Sequence, residues 1–240
     1  MPKKTDKLVK ASKIIEEVAA ADTDTNIARV DNRVRVGERR TNVDRSAETR
    51  ERIIDATVRR LYKFGYSAAT MSAISDEAGV TRGAIIHHFA NMNELMIAVA
   101  LHISENQFGI NQKALAEMRP GRERFLGIVD TEWDTALAPS TIALLKILVE
   151  SANNEVLSLR LPQIQLETEK RYRRMYVEIA REAGITDEAA IGSMFQLHIC
   201  TTRGLAMTYM AGADIERSRS GFQLLKDFQN RLFDQYSTIK

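Results

Sequence analysis

The fold is decided by residues 70–95, which read TMSAISDEAGVTRGAIIHHFANMNEL. This segment divides into two short helices, because apolar residues recur with helical spacing on either side of a break. The two apolar faces comprise Met71, Ile74 and Ala78, then Ile85 and Phe89. Thr70 and Thr81 are good N-caps, and Gly79 can adopt the left-handed conformation at the end of the first helix. Two helices joined by a short turn with glycine are typical of a helix-turn-helix unit.

The second helix of such a unit lies in the major groove, so the segment predicts a domain that binds double-stranded DNA. Nine residues are candidates for DNA contacts: Arg45, Thr70, Ser72, Thr81, Arg82, Gly83, Ala84, His87 and His88. Arg82 is the best candidate base reader, because its planar guanidinium can form two hydrogen bonds to guanine. The alternative is an exposed arginine without a base contact. Hydroxyl groups at the helix starts suit phosphate, with simple capping as the alternative.

The segment resembles the DNA-binding domain of the TetR family of bacterial transcriptional repressors. The residues that match the family pattern in register are Ile74, Ala78, Gly79, Val80, Thr81, Gly83, Ile85, His88, Phe89 and Leu95. Residues 46–66 resemble the family's first helix, so the similarity covers about residues 46–100. The chain departs from the pattern at four positions, with Ser75 for Ala, Ala84 for Thr or Ser, Ile86 for Tyr and Met92 for Lys. The last three departures remove polar groups that could touch DNA.

The 240 residues are 44 % hydrophobic and 28 % charged, as in an ordinary folded protein, and no apolar run approaches a membrane span. No alternating strand pattern is present, so the chain is predicted to be all-α. We expect a DNA-binding domain at 46–95 and a helical effector-binding and dimerisation domain at 96–240. Residues 1–45 carry eleven Lys and Arg against eight Asp and Glu. They are interpreted as a basic, flexible extension with a short helix near 6–20, or alternatively as an arginine arm that contacts DNA.

Helices are predicted at about 46–64, 91–118, 122–137, 140–151, 155–183, 187–211 and 216–236, in addition to the two helices of the central segment. Ser46 is expected to cap the first of these. Pro162 should start or kink the helix in which it lies. Cys200 cannot form an internal disulfide, which fits a reducing cytoplasm. Its position on an apolar helix predicts a buried small hydrophobe, with a redox role as the alternative.

If the family resemblance holds, the C-terminal domain contains a ligand pocket. The candidate lining residues are Trp133, Tyr172, Met175, Met194, His198 and Arg203, with a plain core or interface role as the alternative for each. The charge of Arg203, on an otherwise apolar helix, should pair across a dimer interface or meet an anionic ligand. The basic cluster at 170–174 is interpreted as a solvated helix face, with an anionic effector such as an acyl-coenzyme A as the alternative.

The resemblance implies a cytoplasmic, homodimeric repressor that binds a palindromic operator and is released by a small, largely apolar effector. One alternative is an effector-independent DNA-binding regulator or activator, and another is an all-helical enzyme. The enzyme alternative finds little support, because the sequence has no phosphate loop and no recognisable nucleophile. No cofactor or metal is expected: His87 and His88 point in different directions on a helix, and no other ligand lies at suitable spacing.

Overall fold

The structure is a computed structural model that describes residues 42–239. The predicted helix near 6–20 and most of the predicted arginine arm lie outside the described residues. Contacts divide the chain into two compact units, residues 1–47 and 48–240. Of the first unit only residues 42–47 are described, so apart from Asp44, Arg45 and Ser46 the features below belong to the second. The predicted boundary at 95/96 falls inside a continuous helix and stays a prediction.

The described residues form nine helices: α1 Asn42–Phe64, α2 Met71–Ala78, α3 Arg82–His88, α4 Met92–Glu117, α5 Arg122–Ala136, α6 Pro139–Ser151, α7 Glu155–Glu182, α8 Glu188–Met210 and α9 Ile215–Tyr236. The only β pairing within this part of the chain is an isolated bridge between Ile185 and Ser237. The all-α prediction is therefore confirmed. No single helix within residues 42–239 is long and apolar enough to span a membrane. Helices α3 and α4 meet these two criteria only when they are taken together, and they are separated by a 68° bend.

Side-chain caps set most of the helix starts, as their residue types predict. The oxygen of Asn91 accepts a hydrogen bond from the Glu94 N–H, and that of Asn154 accepts one from the Leu157 N–H, both at 3.0 Å. Asp187 receives two backbone N–H groups at the start of α8. These bonds satisfy N–H groups that have no partner inside the helix.

The start of α1 differs from the sequence prediction, and the structure decides between two predicted roles of Pro162 only in part. Helix α1 begins at residue 42, so Ser46 lies inside it and is not its cap. Residues 42–45 extend the helix at its N-terminal end, and Asp44 in the first turn complements the positive end of the helix dipole. Helix α7 spans Glu155–Glu182, close to the predicted range, and begins after the Asn154 cap. Pro162 therefore lies inside the helix and does not start it, and the predicted kink stays a prediction.

The main hydrophobic core joins the helix-turn-helix to the C-terminal helices. Fully buried side chains of α1, α2, α3 and α4 pack in one cluster with residues of α6 and α7, such as Ile54, Ile74, Ile85, Val99 and Ile147. A second cluster lies between α5, α7, α8 and α9 around Phe125 and Tyr176. Helix α4 contributes to both clusters, so it connects helices α1–α3, which are called the reading head below, to the C-terminal helices.

Cys200 is exposed, and the prediction of a buried small hydrophobe is wrong. It lies on a side of α8 that also carries the exposed apolar residues Leu197 and Met207. Some of the apolar side chains of α8 therefore lie on the surface of the chain and not in its core.

Candidate nucleic-acid interface and effector cavity

The turn between α2 and α3 is held by bonds that its residue types explain. Gly79 has φ 62° and ψ 41°, the left-handed conformation that glycine adopts without steric cost. The Val80 N–H donates to the Ser75 carbonyl at 3.1 Å, and the buried Ser75 hydroxyl donates to the Val80 carbonyl at 2.6 Å. The serine that replaces the alanine of the family pattern therefore fastens the turn.

Arg52 of α1 completes this turn from a position 26 residues away in sequence. Its Nη2 donates to the carbonyl oxygens of Ala78 at 2.7 Å and Gly79 at 3.1 Å, which lie at the C-terminal end of α2. A guanidinium at this end also complements the helix dipole. Arg59 makes a 3.0 Å ion pair to Glu77 on the same side. Sequence analysis missed both arginines, because nothing local in the sequence connects them to the turn.

Helix α3 is anchored along one side and exposed along the other. Thr81 is its N-cap, with Oγ1 accepting a hydrogen bond from the Ala84 N–H at 3.1 Å. Ile85 is fully buried, and Phe89, which follows the helix, is buried beside Arg50 at 5.2 Å from the guanidinium to the ring centre. The opposite side of α3 is therefore free to meet DNA while its register stays fixed.

Most of the predicted DNA-contacting residues lie on accessible surface. The exposed ones are Thr70, Ser72, Thr81, Arg82, Gly83 and His87, and the half-buried ones are Ala84 and His88. Thr70 and Thr81 both act as caps, so capping and phosphate contact would have to coexist. The rings of His87 and His88 stack at 5.4 Å, and burial, then His87 and Arg50, lower the pKa of His88. Arg45 is exposed near the start of α1, in the first compact unit.

Ile86 is the prominent residue of this surface that the sequence candidates omitted. Its side chain is 58 % exposed on α3, between the buried Ile85 and the exposed His87. An exposed branched apolar side chain offers van der Waals contact but no hydrogen bond to a base or phosphate. The signal was present in the sequence, since Ile86 stands where the family pattern has tyrosine. Among the described residues, no group of three or more His, Cys, Asp or Glu could hold a metal ion.

A second candidate site is a cavity of about 160 Å³ between α4, α5, α6, α7 and α8. Its apolar wall includes Leu144, Leu145, Leu148, Phe195 and Ile199. Its polar wall includes Ser104, Gln107, Asn111, Glu132, Thr135, Thr141, Gln165, Thr168, Glu169, Tyr172, Thr202 and Arg203. The Tyr172 hydroxyl accepts a hydrogen bond from Asn111 Nδ2 at 3.3 Å, and burial raises the pKa of Tyr172.

The structure brings only some of the predicted ligand residues to this cavity. Tyr172 and Arg203 line it. His198 is buried behind the wall, with Nδ1 at 2.9 Å from Oε2 of Glu132, an ion-pair distance without the direction of a hydrogen bond. The remaining three belong to hydrophobic clusters: Met175 and Met194 pack around Tyr176, and Trp133 packs on Phe222. These three do not line the cavity, because their helix faces turn towards neighbouring helices.

Residues 53–99 match the family model described as bacterial regulatory proteins of the tetR family. The match to this family covers the last part of α1, the helix-turn-helix and the beginning of α4. An uncharacterised HTH-type transcriptional regulator of Mycobacterium bovis is 27 % identical over 118 residues, which are 49 % of this chain and 60 % of that protein. TtgR, an HTH-type transcriptional regulator of Pseudomonas putida, is 39 % identical over 79 residues, which are 32 % of this chain and 38 % of that protein. The chain thus spans less than two-thirds of these curated relatives.

Two solved structures share the fold over most of the chain. A regulator from Saccharomonospora viridis in complex with choline has a TM-score of 0.62 and 17 % identity, covering 74 % of this chain and 94 % of that one. FadR from Bacillus subtilis in complex with stearoyl-CoA has a TM-score of 0.56 and 18 % identity, covering 78 % and 97 %. The matched family model and the curated relatives are those of transcriptional regulators, in agreement with the expectation of a DNA-binding chain that is not an enzyme.

Helix α6 lines the cavity and is also bonded to α1, the helix that supports the helix-turn-helix. Its residues Leu144, Leu145 and Leu148 line the cavity. Its Lys146 donates from Nζ to the carbonyl oxygens of Leu61 at 3.0 Å and Tyr62 at 2.7 Å, in the last turn of α1. Burial lowers the pKa of Lys146. The same helix therefore forms a wall of the cavity and caps the helix that supports the DNA-facing turn.

Proposed function

We propose that the protein is a homodimeric, ligand-responsive transcriptional repressor that binds a palindromic operator in the cytoplasm. The observation that carries the proposal is the geometry of α3, whose buried Ile85 anchors a surface with exposed Arg82 and His87. In this reading, α3 enters the major groove and Arg82 reads a base. Thr70, Ser72 and Thr81 lie at helix starts, where hydroxyl and N–H groups suit phosphate.

A dimer is supported by an apolar surface on the last two helices. Leu197 and Met207 on α8, and Leu224 and Phe228 on α9, are between 39 % and 65 % exposed. Exposed apolar side chains grouped on neighbouring helices are typical of protein interfaces. A two-fold dimer through these helices would engage two half-sites about one helical turn, ~34–36 Å, apart.

Ligand response is supported by the cavity and by the helices that surround it. A ligand can favour release from DNA only if it prefers a conformation that fits the operator less well. Helices α4 and α6 line the cavity and pack against the reading head, so a shift of either helix would change the orientation of α3. The two structural neighbours bind choline and stearoyl-CoA, which differ greatly in size. A cavity of about 160 Å³ favours an effector closer to the smaller ligand.

The DNA-binding part of the proposal is tested with Arg82→Ala. An operator is first selected from random duplex DNA with the full chain, and affinity is measured by fluorescence anisotropy. Removing a side chain that forms two bonds to guanine should weaken specific binding by about 1–3 kcal/mol, while binding to scrambled DNA changes little. Arg174→Ala is the matched control, because Arg174 is an exposed arginine of α7 whose neighbours Met175 and Tyr176 pack in the second cluster, which contains no residue of α3. Equal losses in both variants would contradict the role of Arg82.

The dimer is tested with Phe228→Asp, measured by sedimentation at several concentrations. A charge within the proposed interface should lower the mass from two chains to one and weaken operator binding. Gln223→Asp, on an exposed position of the same helix, is the control. A reporter gene under the selected operator then distinguishes repression from activation.

A further inference from the structure

The polar wall of the cavity has buried atoms that no protein group satisfies. Ser104 and Asn111 are 4 % and 5 % exposed, and both line the cavity. Four buried atoms of this wall have no hydrogen-bond partner within the described residues: Ser104 Oγ, Asn111 Oδ1, Glu132 Oε2 and Gln165 Nε2. Asn111 Nδ2, in contrast, donates to Tyr172. Leaving a buried polar atom without a partner is costly, and three of the four are oxygens, so the wall indicates a ligand that mainly donates hydrogen bonds. Asn111 Oδ1 can only accept, so the ligand must present a donor there.

The charged side chains of the cavity also favour a ligand that donates hydrogen bonds and carries positive charge. Glu132 and Glu169 both line it, and Arg203 is the one cationic side chain among its lining residues. The Glu132 side chain is 20 % exposed; within residues 42–239 it forms no ion pair to a lysine or arginine, and its close neighbour is the imidazole of His198, with Nδ1 at 2.9 Å from Oε2. Glu169 makes no ion pair to any described residue, and Arg203 is exposed at the rim, where water screens its charge. Inside the cavity, acceptor oxygens and negative charge therefore predominate.

We infer that the cavity binds a small organic cation, a protonated amine attached to an apolar body about the size of one ring. This inference rests on the proposed ligand response and specifies its ligand. The ammonium donates to Glu132 and to Asn111, and it supplies the positive charge that the carboxylates lack. The apolar body lies against Leu144, Leu145 and Phe195. A dry cavity of ~150 Å³ accommodates benzene, so about 160 Å³ fits one ring and not a long acyl chain.

Three probes of nearly equal shape test the charge preference: benzylamine, which is protonated at pH 7, benzyl alcohol and benzoate. Titration calorimetry on the full chain should give the tightest binding for benzylamine, by about ten- to a hundredfold over benzyl alcohol, as for hydrogen bonds to charged groups. Glu132→Gln keeps the size of the side chain and removes its charge. It should abolish the preference for benzylamine while benzyl alcohol still binds, which also shows that the variant is folded.

Glu178→Gln is the matched control, because Glu178 is exposed on α7 and outside the cavity wall. Equal affinities for the three probes, tighter binding of benzoate, or no binding of any probe would overturn the inference. Operator binding, measured with each probe, separates this outcome from the proposed function. If benzoate binds and releases DNA, ligand response stands and the cation preference fails. If benzylamine binds tightly and operator affinity is unchanged, the cation site stands and ligand response fails.

Discussion

Lys146→Met is the change that most directly tests the connection between the cavity and the reading head. In the native chain, Nζ donates to two carbonyl oxygens in the last turn of α1, at 2.7 and 3.0 Å. Methionine fills similar space but cannot donate, so the variant loses both bonds. The Leu61 carbonyl keeps its bond from the Gly65 N–H at 3.0 Å, while the Tyr62 carbonyl has to find water. The removed charge also complemented the negative end of the α1 dipole.

Hydrogen bonds to charged groups contribute about 1.5–3 kcal/mol each. Desolvation, which lowers the pKa of Lys146, offsets part of this contribution, and the half-buried site admits water as a replacement partner. We therefore expect Lys146→Met to lower the free energy of unfolding by about 1–3 kcal/mol in total. For a chain of this size, each kcal/mol corresponds to about 2–4 °C in Tm.

The assay is thermal unfolding followed by circular dichroism at 222 nm, at one fixed protein concentration because a dimer's Tm depends on concentration. Lys113→Met is the matched control, since Lys113 is an exposed lysine on α4 without a described ion pair or hydrogen bond. The reasoning is refuted if both variants have the Tm of the native chain. If Lys146 also transmits ligand binding, the variant should bind ligand normally but release operator DNA less readily.

Three further predictions concern the helix-turn-helix. Operators with uracil in place of thymine should lose about 0.8 kcal/mol for each methyl group that Ile86 covers, and Ile86→Ala should remove this sensitivity in anisotropy titrations. Gly79→Ala should destabilise the chain by roughly 1–2 kcal/mol in urea unfolding, because φ is +62°; Gly109→Ala, on an open helical position, should not. Burial and two neighbouring charged side chains lower the pKa of His88. At pH values between this lowered pKa and 6.5, the ordinary pKa of histidine, the unfolded chain binds a proton at His88 that the folded chain lacks. The Tm should therefore fall as the pH drops through this interval, and the fall should be smaller in His88→Gln.

The sequence by itself determined the helices, their caps and the helix-turn-helix. These features depend on neighbours within one or two turns of the chain. Thr81, for example, caps α3 through a bond to a residue three positions later, and Gly79 ends α2 through its own φ. The buried positions Ile74 and Ile85 follow from helical spacing alone. Motif spacing over about fifty residues was therefore enough to indicate the family.

Only the tertiary structure decided which side chains meet across long sequence separations. Arg52 reaches the turn from 26 residues away, and Lys146 reaches α1 across 85 residues. The cavity wall combines residues of five helices, so periodicity could not separate Tyr172, which lines it, from Met175 and Met194, which pack in the core. Helical spacing indicates that a face is covered, but the packing angles of the helices decide whether another side chain or an open cavity covers it.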